Sequence, residues 1–191
     1  MKNLPKLFLS SAIILCLFTA CKKGSSNKNT SSSYYVNFKA NGSQHKDTKL
    51  AAGVQAHVGA YYSTAITGAT ATSSNSEKFT IVIASSALPA ANTTYGITPD
   101  DNGSNFTELT YTTTDSKLYT SGDGVNGSTG TVTITSVSSN TLKGTFSGKL
   151  VNADNSDDSI TVTEGEFYIP YTFATAGVAK HNKITLSVKL K

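Results

Sequence analysis

Glu164 and Glu166 stand two residues apart in this 191-residue chain, and their spacing is the nearest the sequence comes to acid–base chemistry. On a continuous strand residues i and i+2 project from one face, which would place two carboxylates as a glycoside hydrolase places its acid and nucleophile. A second set of oxygens lies in the run 151–159 (VNADNSDDS), where Asp154, Asp157 and Asp158 are flanked by Asn152 and Asn155. Calcium takes about six to eight oxygen ligands, so this run, or Asp100-Asp101-Asn102, would supply part of a site. Neither has the spacing of a complete calcium loop, and Asp and Asn are also what β-turns select. Ordinary turns are therefore the expectation, with no cofactor required and calcium as the one metal these loops would suit. The glycine-rich run 123–127 (DGVNG) is read in the same way.

The remaining reactive side chains are scattered. His45, His57 and His181 show no metal-ligand spacing such as HExxH, and there is no G-x-S-x-G nucleophile elbow. An enzyme is not expected. Tyrosine is the better lead, because it joins a flat apolar face to a polar tip and so serves sugar rings or protein partners. Tyr61, Tyr62, Tyr168 and Tyr171 are the candidate ligand-binding residues, with Tyr34, Tyr35 and Tyr119 beside them; the absence of tryptophan weighs against a carbohydrate platform.

The elements that must position these groups are strands. Short alternating runs rich in Thr, Ser, Val, Ile and Tyr are separated by clusters of Gly, Asn, Asp and Ser, the pattern of an all-β domain of about nine to eleven antiparallel strands, closed as a β-sandwich or barrel. Inward faces are predicted at Val36, Phe38 and Ala40; at Val54, Ala56, Val58, Ala60 and Tyr62; at Phe79, Ile81 and Ile83; at Val132 and Ile134; at Leu142, Gly144, Phe146, Gly148 and Leu150; and at Ile184, Leu186, Val188 and Leu190. His57 then points to solvent. Ser138-Ser139-Asn140 reads as a hairpin turn, and only His45 to Ala52 suggests a helical turn. Ile160 and Val162 are even-numbered whereas Phe167 and Ile169 are odd, so the register must shift at Glu164-Gly165-Glu166. A two-residue turn or a bulge at Gly165 would each shift it, glycine tolerating the positive φ that either needs.

The N-terminus carries an address. A basic start (Met1 to Lys6), an apolar stretch from Leu7 to Phe18 and then Thr19-Ala20-Cys21 follow the order of a secretory signal. The apolar stretch is shorter than the roughly 20 residues that cross a bilayer as a helix. Leu17-Phe18-Thr19-Ala20-Cys21 resembles the bacterial lipobox, with Phe18 where Leu, Val or Ile is usual, and this implies cleavage after Ala20 and lipidation of Cys21. The two cysteines are then the discarded Cys16 and the lipid site, which leaves no disulfide. Loss of residues 1–20 removes Lys2 and Lys6 from the sixteen basic residues and none of the twelve acids, so the net charge falls from +4 to +2. With no arginine and no basic cluster, a nucleic-acid partner is not expected. Residues 21–33, the lipidated cysteine and a polar run, form a solvated tether, and 34–191 form one domain.

The stretch from Gly130 to Tyr171 also resembles a family of Bacteroidetes envelope lipoproteins to which no activity is assigned. The likeness rests on a G-x-V-x-I-T strand (Gly130 to Thr135), then GTFSG (Gly144 to Gly148), ITVTEGEF (Ile160 to Phe167) and a closing Pro170. Tyr35 to Gly42 is similar to the first strand of such proteins. The resemblance implies an all-β fold on a lipid tether and no particular activity. Members displayed at the cell surface carry acidic residues after the cysteine, where this chain has Lys22-Lys23-Gly24-Ser25; the implied location is the outer membrane, on its periplasmic leaflet. The expected function is a non-catalytic binding module of the cell envelope with a glycan or protein partner. The alternatives are a secreted hydrolase using loop carboxylates and a purely structural envelope component. Growth with labelled palmitate tests the anchor: the wild type is expected to take up label and Cys21→Ser is not, whereas equal labelling would exclude Cys21 as the lipid site.

Overall fold

The computed structural model describes residues 34–47, 49–58, 60–73, 76–98, 105–122 and 127–174. Cys21, the tether, Asp100-Asp101-Asn102, Asp123, His181 and the alternating run from Ile184 to Leu190 lie outside the described residues. Eleven strands are present among those described, and no helix: β1 (Tyr35–Ala40), β2 (Ser43–Asp47), β3 (Leu50–Val58), β4 (Tyr61–Ala69), β5 (Lys78–Ser85), β6 (Thr93–Gly96), β7 (Phe106–Thr112), β8 (Leu118–Thr120), β9 (Thr129–Val137), β10 (Thr141–Asn152) and β11 (Ser159–Ala174). The all-β expectation holds. The strands form one sheet in the order β2-β1-β11-β3-β4-β5-β7-β6-β9-β10-β8, and a further β11–β10 ladder joins its two halves. Hydrogen bonding therefore runs in a closed circuit from β11 through β3, β4, β5, β7, β6, β9 and β10 back to β11, the closure of a barrel.

Most ladders are antiparallel, as the short turns require, but two are parallel. Tyr171–Ala174 at the end of β11 runs parallel to Gly53–Ala56 of β3, and β6 meets β7 in parallel at Gly96 and Phe106. The purely antiparallel expectation is corrected here. Parallel neighbours need long crossovers, and the chain between β3 and β11 supplies one by forming most of the barrel in between.

The inward faces follow the alternation at most strands. Val36, Phe38 and Ala40 are buried, as are Phe79, Ile81 and Ile83, Val132 and Ile134, and Leu142, Phe146 and Leu150. Phe38, Phe79, Phe146 and Tyr111 meet in the centre, with Phe38 4.6 Å from Phe79 and Phe79 4.7 Å from Phe146 between ring centroids. Ser138 closes the β9–β10 hairpin as expected, its N–H donating to the Thr141 carbonyl at 2.9 Å. Two expectations fail. The run from His45 to Ala52 is no helical turn: it is the end of β2 and the start of β3, because Phe38↔His45 and Val36↔Asp47 pair it with β1. In β3 the faces are also reversed. Gly53 and Gln55 are buried and Ala51 packs on the core, while Val54 and Ala56 are only half-buried on the other side. Gly53 lies under the Ile169 side chain, a contact that leaves no room for a larger inward residue. His57, at the strand's end, is exposed as expected.

The register shift on β11 is a bulge, not a turn. Against β10, Phe146 pairs with Gly165 and Gly148 with Val162; against β1, Asn37 pairs with Glu166 and Lys39 with Thr163. Both neighbours advance two residues while β11 advances three, so one extra residue re-aims the strand and moves the inward positions from even to odd. The positive φ falls on Glu164, at 50°, and not on Gly165. Gly165 is needed for a different reason. A Cβ there would lie 2.6 Å from Cδ2 of the Phe146 ring and closer still to the Phe146 carbonyl oxygen. Two substitutions separate these roles. Gly165→Ala is expected to cost about 1–3 kcal/mol through overpacking against Phe146. Glu164→Gly is expected to gain on the order of 1 kcal/mol by relieving the left-handed backbone, since its exposed ion pair with Lys39 contributes little. Denaturant titration of both variants checks this; equal losses would place the bulge elsewhere.

Candidate functional site

The loop after β10 uses its oxygens internally. Asn152 Oδ1 accepts from the Asp154 N–H at 2.9 Å, and Asn155 Oδ1 from the Asp157 N–H at 3.1 Å. Asp158 Oδ2 accepts from the Tyr119 hydroxyl at 2.8 Å and from Asn152 Nδ2 at 3.2 Å, with Lys117 Nζ 4.0 Å away. Burial, and then this bond to Asp158, push the Tyr119 hydroxyl pKa up. The asparagines that the sequence offers as calcium ligands thus act as turn-formers, and Asp158 ties the loop to β8. Asp154 and Asp157 are exposed. Among the described residues no group of three or more His, Cys, Asp or Glu side chains is arranged to hold a metal ion.

The four candidate tyrosines do not form one site. Tyr61 and Tyr62 begin β4, half-buried, with the Tyr62 ring 4.6 Å from that of His57. They are two ladders away from β11, across β3. Tyr171 packs on the core and donates its hydroxyl to the Ser138 carbonyl at 2.9 Å, which ties β11 to the β9–β10 hairpin. Tyr168 is placed differently. Its register partners are Tyr35 on β1 and Lys143 on β10, and all three alternate with inward residues, so they form one row on the outer face. The Tyr34 ring meets Tyr168 edge-on at 5.1 Å, and the Lys143 ammonium lies 4.5 Å from the Tyr168 centroid.

Immediately beside this row the bulge opens a shallow depression of about 500 Å³. Asn37, Gln44, Thr145, Ser147, Glu164 and Glu166 form its walls, and Phe146 and Gly165 its floor. Glu164 is exposed and ion-paired with Lys39 at 2.7 Å; Glu166 is exposed as well. The two glutamates do share a site, although the bulge, and not simple alternation, brings them to it. Asn37 Oδ1 is shielded from solvent and has no hydrogen-bond partner among the described residues. Such an acceptor costs free energy, and because it is closed to solvent it is equally closed to a hydroxyl in the depression. The Glu164 and Glu166 carboxylates supply acceptors, the Thr145 and Ser147 hydroxyls donate or accept, and Gln44 Nε2 is already given to the Phe38 and His45 carbonyls.

The inner side of the same hairpin carries a second polar group that sequence reading missed. His45 and Asp47, two apart on β2, project inward; His45 stacks on Phe38 with centroids 5.0 Å apart. His45 Nδ1 lies 2.5 Å from Glu77 Oε1, and the Tyr111 hydroxyl donates to the same oxygen at 3.0 Å. Asp47 is fully buried, and neither carboxylate oxygen has a partner. Burial, and then the charge of Glu77, push its pKa up to about 7. The same two influences raise the Tyr111 hydroxyl well above its ordinary value. An H-x-D pair on a short polar strand was the available signal, but Glu77, just before β5, and Tyr111 on β7 are distant in the chain and only the fold assembles them. No protein-family model, curated protein or solved structure matches this chain.

Proposed function

We propose that this chain is a lipid-anchored cell-envelope protein whose β-barrel is a non-catalytic binding module, and that its site is the outer face of β1, β11 and β10. The observation that carries this reading is the adjacency of the Tyr168 row to the depression that Thr145, Ser147, Glu164 and Glu166 line. A hydroxyl-rich ligand suits both parts. Its O–H groups donate to the Glu164 and Glu166 carboxylates, while a ring face of Tyr34, Tyr35 or Tyr168 takes up its C–H surface. Glycans are the envelope ligands with that chemistry. Lys143, beside Tyr168, adds a donor for ring or glycosidic oxygens. The site is open and shallow, which suits a segment of a polymer better than an enclosed small molecule.

Both glutamates are exposed, Glu164 is tied to Lys39, and their role in this reading is to accept hydrogen bonds. Anchoring through Cys21 would hold the barrel at the membrane within reach of envelope polysaccharide. A thermal melt against a glycan panel tests the proposal. At a hundredfold excess over Kd, selective binding adds about 2.7 kcal/mol to the folded state, an upward shift that a melt resolves. The shift is expected in the wild type and in Tyr61→Ala, and is expected to vanish in Tyr168→Ala and Glu166→Gln. A shift that survives both of the latter, or no shift with any glycan, would overturn the assignment.

A further inference from the structure

We propose that Asp47 is a proton-operated latch, holding the β1–β2 hairpin shut over the barrel end while protonated and releasing the end of β2 when it ionises. The inference does not depend on the glycan reading, because it concerns the inner side of the hairpin.

The geometry sets the conditions for a latch. Among the described residues β2 is the last strand of the sheet and is held by one ladder, to β1, so its pairing opens at low cost. Its attachment to the barrel is through inward side chains. Gly68 of β4 makes that approach possible: a Cβ there would lie 2.5 Å from Val36 Cβ and 2.9 Å from Asp47 Cβ, so a larger residue would push β2 away. Asp47 is 0 % exposed with both oxygens unpartnered. A buried carboxylate without donors carries the full cost of desolvation, while the protonated acid carries much less.

Among the described residues, the one facing group that can carry a positive charge is already engaged with another carboxylate. From β2 itself comes His45, which is engaged with Glu77 at 2.5 Å; from the approach to β5 comes Glu77, a carboxylate; from β7 comes the Tyr111 hydroxyl, donated to Glu77. Val36 of β1 and Gly68 of β4 contribute no charge. Glu77 repels the ionised form of Asp47, and burial and Glu77 together place its titration at about 7. The direction of the effect follows. The folded-state pKa lies above the unfolded value of 3.8, so the folded protein retains a proton that the unfolded chain releases. The stabilisation is complete below about pH 4, declines as the pH rises, and is lost above about pH 7. The unfolding constant therefore rises about tenfold per pH unit across that window. Opening lets the carboxylate reach water and hands its proton to solvent. Because Asn37 and Gln44 sit on the outer side of these strands, opening would also move one wall of the depression.

Hydrogen exchange of the full chain in mild detergent, followed at pH 5 to 8.5 and corrected for the intrinsic rate, reads the latch directly. Protection of those amides of Gln44–Asp47 that face β1 is expected to fall about tenfold per pH unit in the wild type from pH 5 to about 7 and to level off above it. It is expected to stay level in Asp47→Asn, which keeps the shape of the neutral acid. The same fall in both proteins would overturn the proposal. Should Asp47→Asn not fold, the side-chain carboxyl carbon of Asp47 in the wild type, followed by NMR, decides: a midpoint near 7 supports the latch and one near 4 refutes it. A wild-type profile altered by chelator or by added calcium or zinc would replace the proton with a metal cation, and would equally overturn it.

Discussion

A strand has two hydrogen-bonding edges, and the fold depends on how β11 divides its own among three neighbours. One edge is given to β10 along nearly its whole length. The other is given first to β1, up to the Tyr35↔Tyr168 pair, and then to β3, from Tyr171↔Gly53 onward. Pro170 lies at the changeover. The Tyr171 N–H points to the Asn140 carbonyl, on the β10 side, so position 170 faces the opposite edge, where β1 has ended and β3 has not begun. The N–H that proline lacks would have had no ladder partner there. Without β11 the circuit through β3, β4 and β5 is open and only the smaller one through β7, β6, β9, β10 and β8 remains, and among the described residues the hairpin of β1 and β2 has no other ladder to the barrel.

The outer-face depression follows from the bulge in this strand. Before it, Ile160 and Val162 face inward; after it, Phe167 and Ile169 do, and the extra residue allows both sets to reach one core. On the outside, the same extra residue spreads Glu164 and Glu166 around a depression instead of a flat pleat, with Tyr168 beside it. On the inside, Phe146 rests on Gly165 and contributes to the aromatic centre with Phe38 and Phe79. β1 carries both consequences: Asn37 faces the depression while Val36 and Phe38 hold β2, and with it His45 and Asp47, against β4.

The sequence makes the local geometry legible because strand alternation has a period of two wherever one face is wet and one dry. The β9–β10 hairpin, with Val132, Ile134, Leu142 and Phe146 inward, is such a case, and so is the parity change between Val162 and Phe167. Alternation fails in β3, where the inward positions are Gly53 and Gln55 and the apolar Val54 and Ala56 fall outside. The tight approach of Ile169 to Gly53 excludes the large residues that would have announced the face. The parallel ladder between β3 and β11 joins residues more than a hundred positions apart, which no local pattern encodes. Glu164 shows the limit of residue-type rules: the glycine beside it suggested where a left-handed backbone belongs, but steric contact with Phe146 claims Gly165 for a different purpose. The group around Asp47 was hidden for the same long-range reason, since His45, Glu77 and Tyr111 come from three separate parts of the chain.

The central claim is that β11 is the element on which closure depends, and residue-resolved hydrogen exchange under mildly denaturing conditions tests it most directly. The amides of Val162, Phe167 and Ile169 should exchange only through global unfolding, with the same free energy and denaturant dependence as those of Leu142 and Phe146 on β10. Exchange of β11 through a smaller, separate opening, while β3, β4 and β5 remained protected, would mean that the barrel stands without it and would contradict the account.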